Sequence, residues 1–308
     1  MRNHLINKIT EIAEKDKNIM LVTADLGFSV VENFKNKFPN RYINVGIAEQ
    51  NMAAVAAGLA LEGNTVFIYS IGNFPTLRCI EQIRNDICYH NANVKILAVG
   101  SGFAYGTLGM THHATEDLAI MRALPNMKVF TPCDSISAEA IAEDICKIQG
   151  PCYVRLERGG EPIVFNKNEQ FIIGALKELR KGKGVAIITI GTVINEALKA
   201  TDELLKENKE ISVYSVYSLK PINKEQILKI VENNQYIITV EEHQITGGLG
   251  STIAEIIAEN DVKTQLIRLG LHDEFTSVVG NQEYLRDVYK LDSKFIIKKI
   301  RSLANGKN

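Results

Sequence analysis

Short β-branched runs alternate along this chain with longer amphipathic stretches, and that alternation restricts the possible folds more than any other feature. "NIMLVT" (18–23), "TVFIYS" (65–70), "NVKILAV" (93–99), "MKVFTP" (127–132) and "CYVRLE" (152–157) read as strands. Helical spacing fills the gaps at about 4–15, 48–62, 74–90 and 135–148. Strand and helix in turn predict a mostly parallel sheet with helices on both faces. The pattern then loosens in "RGGEPIVFNKNEQFIIGALKELRKGKG" (158–184), where polar residues and glycines precede a basic run. This stretch reads as a connector with room for a short strand or hairpin. Alternation resumes with "GVAIITIG" (184–191), "ISVYSVYSL" (211–219), "QYIITVEE" (235–242) and "TQLIRLG" (264–270). The expectation is an α/β protein of two doubly wound domains, about 1–160 and 184–308, with a connector over 161–183.

Bulk properties exclude several classes. A hydrophobic share of 45% with 23% charged residues is that of a globular chain. A net charge of -1 gives no long-range pull toward nucleic acid or an acidic membrane surface. No apolar run reaches the roughly 18–20 residues that span a bilayer. The start, "MRNHLINKITEIAEKDKN", is polar where a signal peptide carries its apolar stretch. Cysteines 79, 88, 133, 146 and 152 are odd in number and never spaced C-x-x-C, which fits reduced thiols in a cytoplasm rather than a disulfide framework or metal cluster.

One segment poses a chemical question. In "YINVGIAEQNMAAVAAGLALEGN" (42–64), Glu49 is followed by twelve uncharged residues, most of them small or apolar. Ala53/Ala57, Ala54/Gly58 and Ala56/Ala60 stack at i, i+4, so the helix is built for close packing, within the domain or across a subunit boundary. A carboxylate at the mouth of such a helix loses hydration at a cost of several kcal/mol, and its proton affinity rises unless a partner compensates. Two readings fit. Glu49 is an acid of the first turn, favoured by the helix dipole and paired with a base; or it is a proton-holding group of a site. Pattern alone does not separate them.

Five segments taken in order carry a resemblance: "TADLG" (23–27), "INVGIAEQNMAAVAAGLAL" (43–61), "FPTLRCIEQIRND" (74–86), "GTLGMTHHATEDLAIMRALPNMKVFTPCD" (106–134) and "VEEHQITGGLGS" (240–251). Together they resemble the pyrimidine-binding and C-terminal domains of transketolases, over nearly the whole chain. Deoxyxylulose-phosphate synthases and the β chains of 2-oxo acid dehydrogenases are more distant relatives. The resemblance implies that Glu49 hydrogen-bonds N1′ of the aminopyrimidine of thiamine diphosphate and shares a proton with it. The exocyclic nitrogen then acts as the base that activates the thiazolium carbon. Phe74 falls on the position whose ring stacks on the pyrimidine; the plain alternative is a core Phe followed by Pro75. His112 falls on the family's active-site histidine, suited to proton exchange with a substrate oxygen; a surface histidine pair is its alternative. His113 stands where relatives commonly carry Gln, and neighbouring side chains in a loop point apart.

The chain also departs from the family. Sugar-phosphate transketolases hold the acceptor phosphate with two arginines, a serine and a histidine. Arg2, Ser29 and Arg158 fall on three of these positions, whereas Gly100 takes the histidine's place. Arginine forks suit phosphate oxygens, so phosphorylated substrates stay within reach of a weakened clamp; a surface ion pair is the alternative for each arginine. The aspartate that reads a donor hydroxyl is here Leu108, which removes an acceptor and favours an altered substrate. The family's "GDG…N" segment, which binds the diphosphate and its Mg2+, does not occur in the chain. "TGGLGS" (246–251) opens a helix that could hold an anion, although close glycine packing explains it as well.

The resemblance therefore implies the C-terminal half of a split transketolase-like transferase that moves a two-carbon ketol unit between sugars. A separate N-terminal subunit with the GDG motif would carry the rest of the cofactor site, in an α2β2 assembly. Two other readings stay open: a β chain of a 2-oxo acid dehydrogenase or pyruvate-using decarboxylating synthase, and a non-catalytic scaffold or regulatory subunit.

Overall fold

The computed structural model describes residues 1–304. Its strands are β1 (Ile19–Thr23), β2 (Tyr42–Asn44), β3 (Thr65–Ile71), β4 (Val94–Val99), β5 (Lys128–Phe130), β6 (Cys152–Leu156), β7 (Leu176–Arg180), β8 (Gly184–Ile190), β9 (Ser212–Val216), β10 (Ser218–Lys220), β11 (Asn234–Gln244) and β12 (Gln265–Leu271). They form a seven-stranded sheet, β10-β5-β6-β4-β3-β1-β2, and a five-stranded sheet, β12-β11-β8-β9-β7. All pairs are parallel except β10 with β5 and β7 with β9. The expected architecture of two mostly parallel sheets flanked by helices is what the chain adopts.

Period-two alternation gives each central strand of the first sheet two faces to bury. Phe67 and Tyr69 of β3 pack with the helices Arg2–Ala13 and Ser135–Lys147; Val66 and Ile68 pack with the helix Glu49–Leu61. β4 and β6 are buried along their whole length. The one cation in β4, Lys95, is accommodated because its Nζ donates to the Ile148 and Gly150 carbonyls at 2.7 and 2.6 Å. These carbonyls follow the helix Ser135–Lys147, where positive charge is favoured.

Two local expectations are corrected, and some short elements are added. The stretch 74–90 is not one helix but a 3-10 turn (Leu77–Cys79), a single α turn (Ile80–Gln82) and a π-helical segment (Ile83–Cys88). Its entrance is tied to loops instead of a helical ladder: Thr76 Oγ1 donates to the Gly72 carbonyl at 2.7 Å, and Pro75 has no N–H to give. The run 211–219 is not one strand. It divides at the fully buried Tyr217 into β9, in the second sheet, and β10, which pairs with β5 of the first. Short elements at Glu32–Lys37, Tyr42–Asn44 and Asp117–Ala123 went unforeseen, being shorter than the windows in which periodicity registers.

Within 161–183 lies β7, on the edge of the second sheet. The Val164 and Phe165 N–H groups donate to Asp134 Oδ2 at 2.9 and 2.8 Å, so this stretch is fastened to the helix start at Asp134. All five cysteines are free, and among the described residues no helix is long and apolar enough to cross a membrane.

Candidate active site

Glu49 is the first residue of the helix Glu49–Leu61, and only 2% of its side chain is exposed. The alanine stacks explain the burial. Ala53, Ala56, Ala57 and Ala60 face the interior, which draws the helix close to the sheet, while Ala54 and Gly58 face outward. A Cβ at Gly58 would meet nothing within 4 Å, so no contact within the chain requires that glycine.

Among the described residues the carboxylate has one side-chain partner: Arg78 Nη1 donates to Glu49 Oε2 at 2.6 Å. The same guanidinium lies 4.7 Å from the centre of the Phe74 ring. Phe74 meets His112 edge to face, with ring centres 5.3 Å apart. Glu49, Arg78, Phe74 and His112 therefore stand in one row, although 63 positions separate its ends. Arg78 is the base that the dipole reading of Glu49 required, and nothing in the order of residues singled it out for that role.

His112 is held by its loop. Asn73 Nδ2 donates to the Thr111 and His113 carbonyls at 3.2 and 2.8 Å, and Thr111 Oγ1 lies 3.0 Å from His112 Nδ1. The two histidines point apart, as adjacency predicts. His113 is buried, with Nε2 donating to the Gly106 carbonyl at 3.2 Å and Nδ1 at 2.7 Å from Thr276 Oγ1. Burial lowers its proton affinity, and a neutral ring satisfies both contacts. A cleft of about 310 Å³ opens beside this row, walled by Phe74, Arg78, Met110, Thr111, Glu116 and Phe275. Burial raises the Glu116 carboxyl against the donation from Thr115 Oγ1 at 2.9 Å.

A second group lies beyond His112. The Arg158 guanidinium is 5.6 Å from the centre of the Tyr105 ring, which is itself 6.5 Å from the His112 ring. Arg2 lies beside the buried Tyr69; burial pushes the Tyr69 hydroxyl well up while Arg2 pulls the other way, and Tyr105 and Glu32 belong to the same surroundings. Arg2 Nε is buried without a hydrogen-bond partner among the described residues. Ser29 joins through its N–H, which donates to Glu32 Oε1 at 2.7 Å; the residue is exposed and its φ is +63°. Gly100 has φ +107°, and a Cβ there would come within 2.3 Å of the Tyr105 ring. Tyr105 thus fills the space that a side chain at 100 would take. Sequence reasoning missed it; the available signal was a glycine in place of a bulky residue with an aromatic five positions on. Leu108 points outward beside the exposed Met110.

Polar side chains lock the histidine loop to both sheets. Arg155 of β6 donates from Nε to Asp117 Oδ2 at 2.8 Å, and from Nη2 to the carbonyls of Ala114 at 2.5 Å and Glu242 at 3.0 Å. Tyr153 Oη donates to the same Asp117 oxygen at 2.6 Å. Nearby, Glu242 pairs with Arg286, and burial together with Glu242 raises the Glu157 carboxyl, which accepts from Ser101 and Thr192. The "TGGLGS" turn already holds a carboxyl of this chain: Glu241 accepts from the N–H groups of Leu249 and Gly250 at 2.7 and 2.8 Å. A Cβ at Gly248 would meet Glu241 Oε2 at 2.1 Å, so close packing accounts for that glycine. Burial pushes the Glu241 carboxyl up to about 7 against the pull of those two N–H groups.

Comparison with known proteins adds the following. Residues 1–161 match the transketolase pyrimidine-binding domain model, and residues 174–296 the transketolase C-terminal domain model. The chain is 36% identical over 299 residues to a subunit of the apulose-4-phosphate transketolase from Phocaeicola vulgatus, covering 96% of this chain and 95% of that protein. It is 34% identical over 309 residues to a 6-deoxy-6-sulfo-D-fructose transketolase subunit from Clostridium sp. MSTE9, covering 100% and 95%. A split-gene transketolase solved as an inactive β4 tetramer superposes with a TM-score of 0.86 at 35% identity, covering 98% of this chain and 96% of that one.

Proposed function

Because the chain belongs to the transketolase family, we propose that it is the pyrimidine-side subunit of a split, thiamine-diphosphate-dependent enzyme that transfers a two-carbon ketol unit between sugars bearing an anionic group. A second chain carrying the GDG segment holds the diphosphate and Mg2+, and the two assemble as α2β2. The observation that carries this reading is the row of a 2%-exposed carboxylate, an aromatic face and a half-buried imidazole. A flat apolar ring beside a desolvated carboxylate suits an aminopyrimidine, which offers one face to stack and ring-edge nitrogens to bond.

Bound thiamine diphosphate supplies the carbon nucleophile that no side chain can. The residues of this chain do the rest. Glu49 holds a proton at the ring nitrogen in a place that excludes water. Phe74 sets the plane of that ring. His112, whose Nδ1 faces Thr111, keeps Nε2 for proton exchange with a substrate oxygen. Arg158 and Arg2, with Tyr105 between their surroundings, receive the anionic end of the sugar. With Leu108 in place of an acceptor, one substrate hydroxyl goes unread. The names of the two subunit relatives, one for a sugar phosphate and one for a sulfo sugar, agree with an anionic terminus.

The test is reconstitution. The chain alone is expected to give no turnover, and mixing it with a GDG-bearing partner, thiamine diphosphate and Mg2+ should produce ketol transfer from ketose phosphates. Release of carbon dioxide from pyruvate in place of transfer would overturn the reading, as would full turnover by the chain alone.

The altered clamp gives a separate prediction. Gly100→His is expected to destabilise the chain by about 1–3 kcal/mol, because the side chain at positive φ collides with Tyr105. Adding Tyr105→Ala should recover the part due to crowding. Thermal melts of the single and double variants read this directly, and a Gly100→His melt equal to that of the parent would refute the packing argument.

A further inference from the structure

Arg78 holds both surfaces that the proposed function assigns to the pyrimidine. Its guanidinium is planar, permanently charged and rich in N–H donors, so it can stack on an aromatic face and bond a carboxylate at its edge. It does both: its central carbon is 4.7 Å from the Phe74 ring centre, and Nη1 is 2.6 Å from Glu49 Oε2. A flat ring stacked on Phe74 and bonded to Glu49 makes the same two contacts. One carboxylate edge and one aromatic face do not serve both ligands at once.

We infer that Arg78 is a place-holder that the cofactor's aminopyrimidine displaces, and that it thereby sets how tightly this subunit takes up thiamine diphosphate. The inference rests on the proposed function and adds a residue to it. The local structure suits displacement. Arg78 is 48% exposed and stands on the 3-10 turn Leu77–Cys79, ahead of irregular backbone, so its charge reaches water by side-chain rotation alone. Glu49, on a regular helix and 2% exposed, has no such route. With Arg78 in place the Glu49 edge is covered and its carboxylate is not left unpaired. The apparent affinity for the cofactor is then the intrinsic affinity reduced by the fraction of chains in which Arg78 has swung out.

The test measures thiamine diphosphate binding by titration calorimetry on the complex reconstituted with its partner chain and Mg2+. Arg78→Met removes the charge and the fork while keeping an apolar stem over Phe74. It is expected to tighten binding roughly three- to tenfold, the size of a modest occlusion. Arg78→Lys keeps the charge but not the flat fork and should fall between parent and Arg78→Met. In a Glu49→Gln background, where the competing ion pair is gone, the gain from Arg78→Met should vanish; a purely structural role for Arg78 does not predict that loss. Thermal melts check that the variants fold, and Arg78→Lys carries the test if Arg78→Met does not. Unchanged or weaker binding by the folded variants overturns the inference and leaves the proposed function standing. A parent complex that binds no thiamine diphosphate overturns both.

Discussion

Glu49→Gln is expected to lower ketol transfer by the reconstituted enzyme by about 10²- to 10⁴-fold, the range typical for loss of a positioned proton-transfer group, with little change in melting temperature. The two halves of that expectation have separate origins. Gln has nearly the shape of Glu, so the helix Glu49–Leu61 keeps its seat, but an amide cannot hold and release the proton that the proposed function has Glu49 share with the pyrimidine nitrogen. Stability is spared because the lost partner, Arg78, is half exposed and recovers water; pairs with one wet member contribute about 0–1 kcal/mol. Initial rates with a ketose phosphate donor and scanning calorimetry on the same preparations check both. Activity within threefold of the parent would reduce Glu49 to a first-turn acid paired with an arginine, and would favour the scaffold reading.

The largest expected loss of stability lies elsewhere, at Arg155. Burial opposes its charge, but Asp117, Tyr153 and Glu242 together more than restore it, and the guanidinium also satisfies the carbonyls of Ala114 and Glu242. Arg155→Met fills similar volume but leaves Asp117, 1% exposed, with Tyr153 as its remaining side-chain donor. Breaking a buried pair from one side costs about 3–5 kcal/mol, which for a chain of this size lowers Tm by roughly 10 °C. Asp117→Asn in the same background should recover part of the loss, since the uncompensated charge is then gone. A loss below about 1 kcal/mol for Arg155→Met would show that water or backbone shifts replace the pair. Because Arg155 joins β6 to Ala114, two residues after His112, and to Glu242 in β11, the variant also tests whether the histidine loop depends on the contact between the two sheets.

Much of the architecture was legible in the order of residues. β-Branched runs and helical spacing located β1, β3, β4, β5, β6, β8, β11 and β12 to within one or two positions, because both signals are written along the chain itself. The helix after Glu49 was legible for the same reason. The stretch 74–90 was misread because apolar spacing says nothing of a side chain that bonds back to a loop, as Thr76 does. Tyr217 reads as one more strand residue, yet it marks where the chain leaves one sheet for the other.

Within the site, residue types nominated Glu49, Phe74 and His112 through a family resemblance, and the fold brings these three into one row. Arg78 and Tyr105 could not be nominated in that way. Their importance lies in what each occupies, the Glu49 edge and the space beside Gly100, and occupancy depends on side chains that meet across 29 and 5 positions of sequence. Local periodicity and composition act on neighbours along the chain, and they determined the layers, the parallel sheets and the burial of Glu49. Hydrogen bonds and steric exclusion act over a few ångströms in space, so only the tertiary structure decided which cation faces that acid and which ring closes the far end of the site.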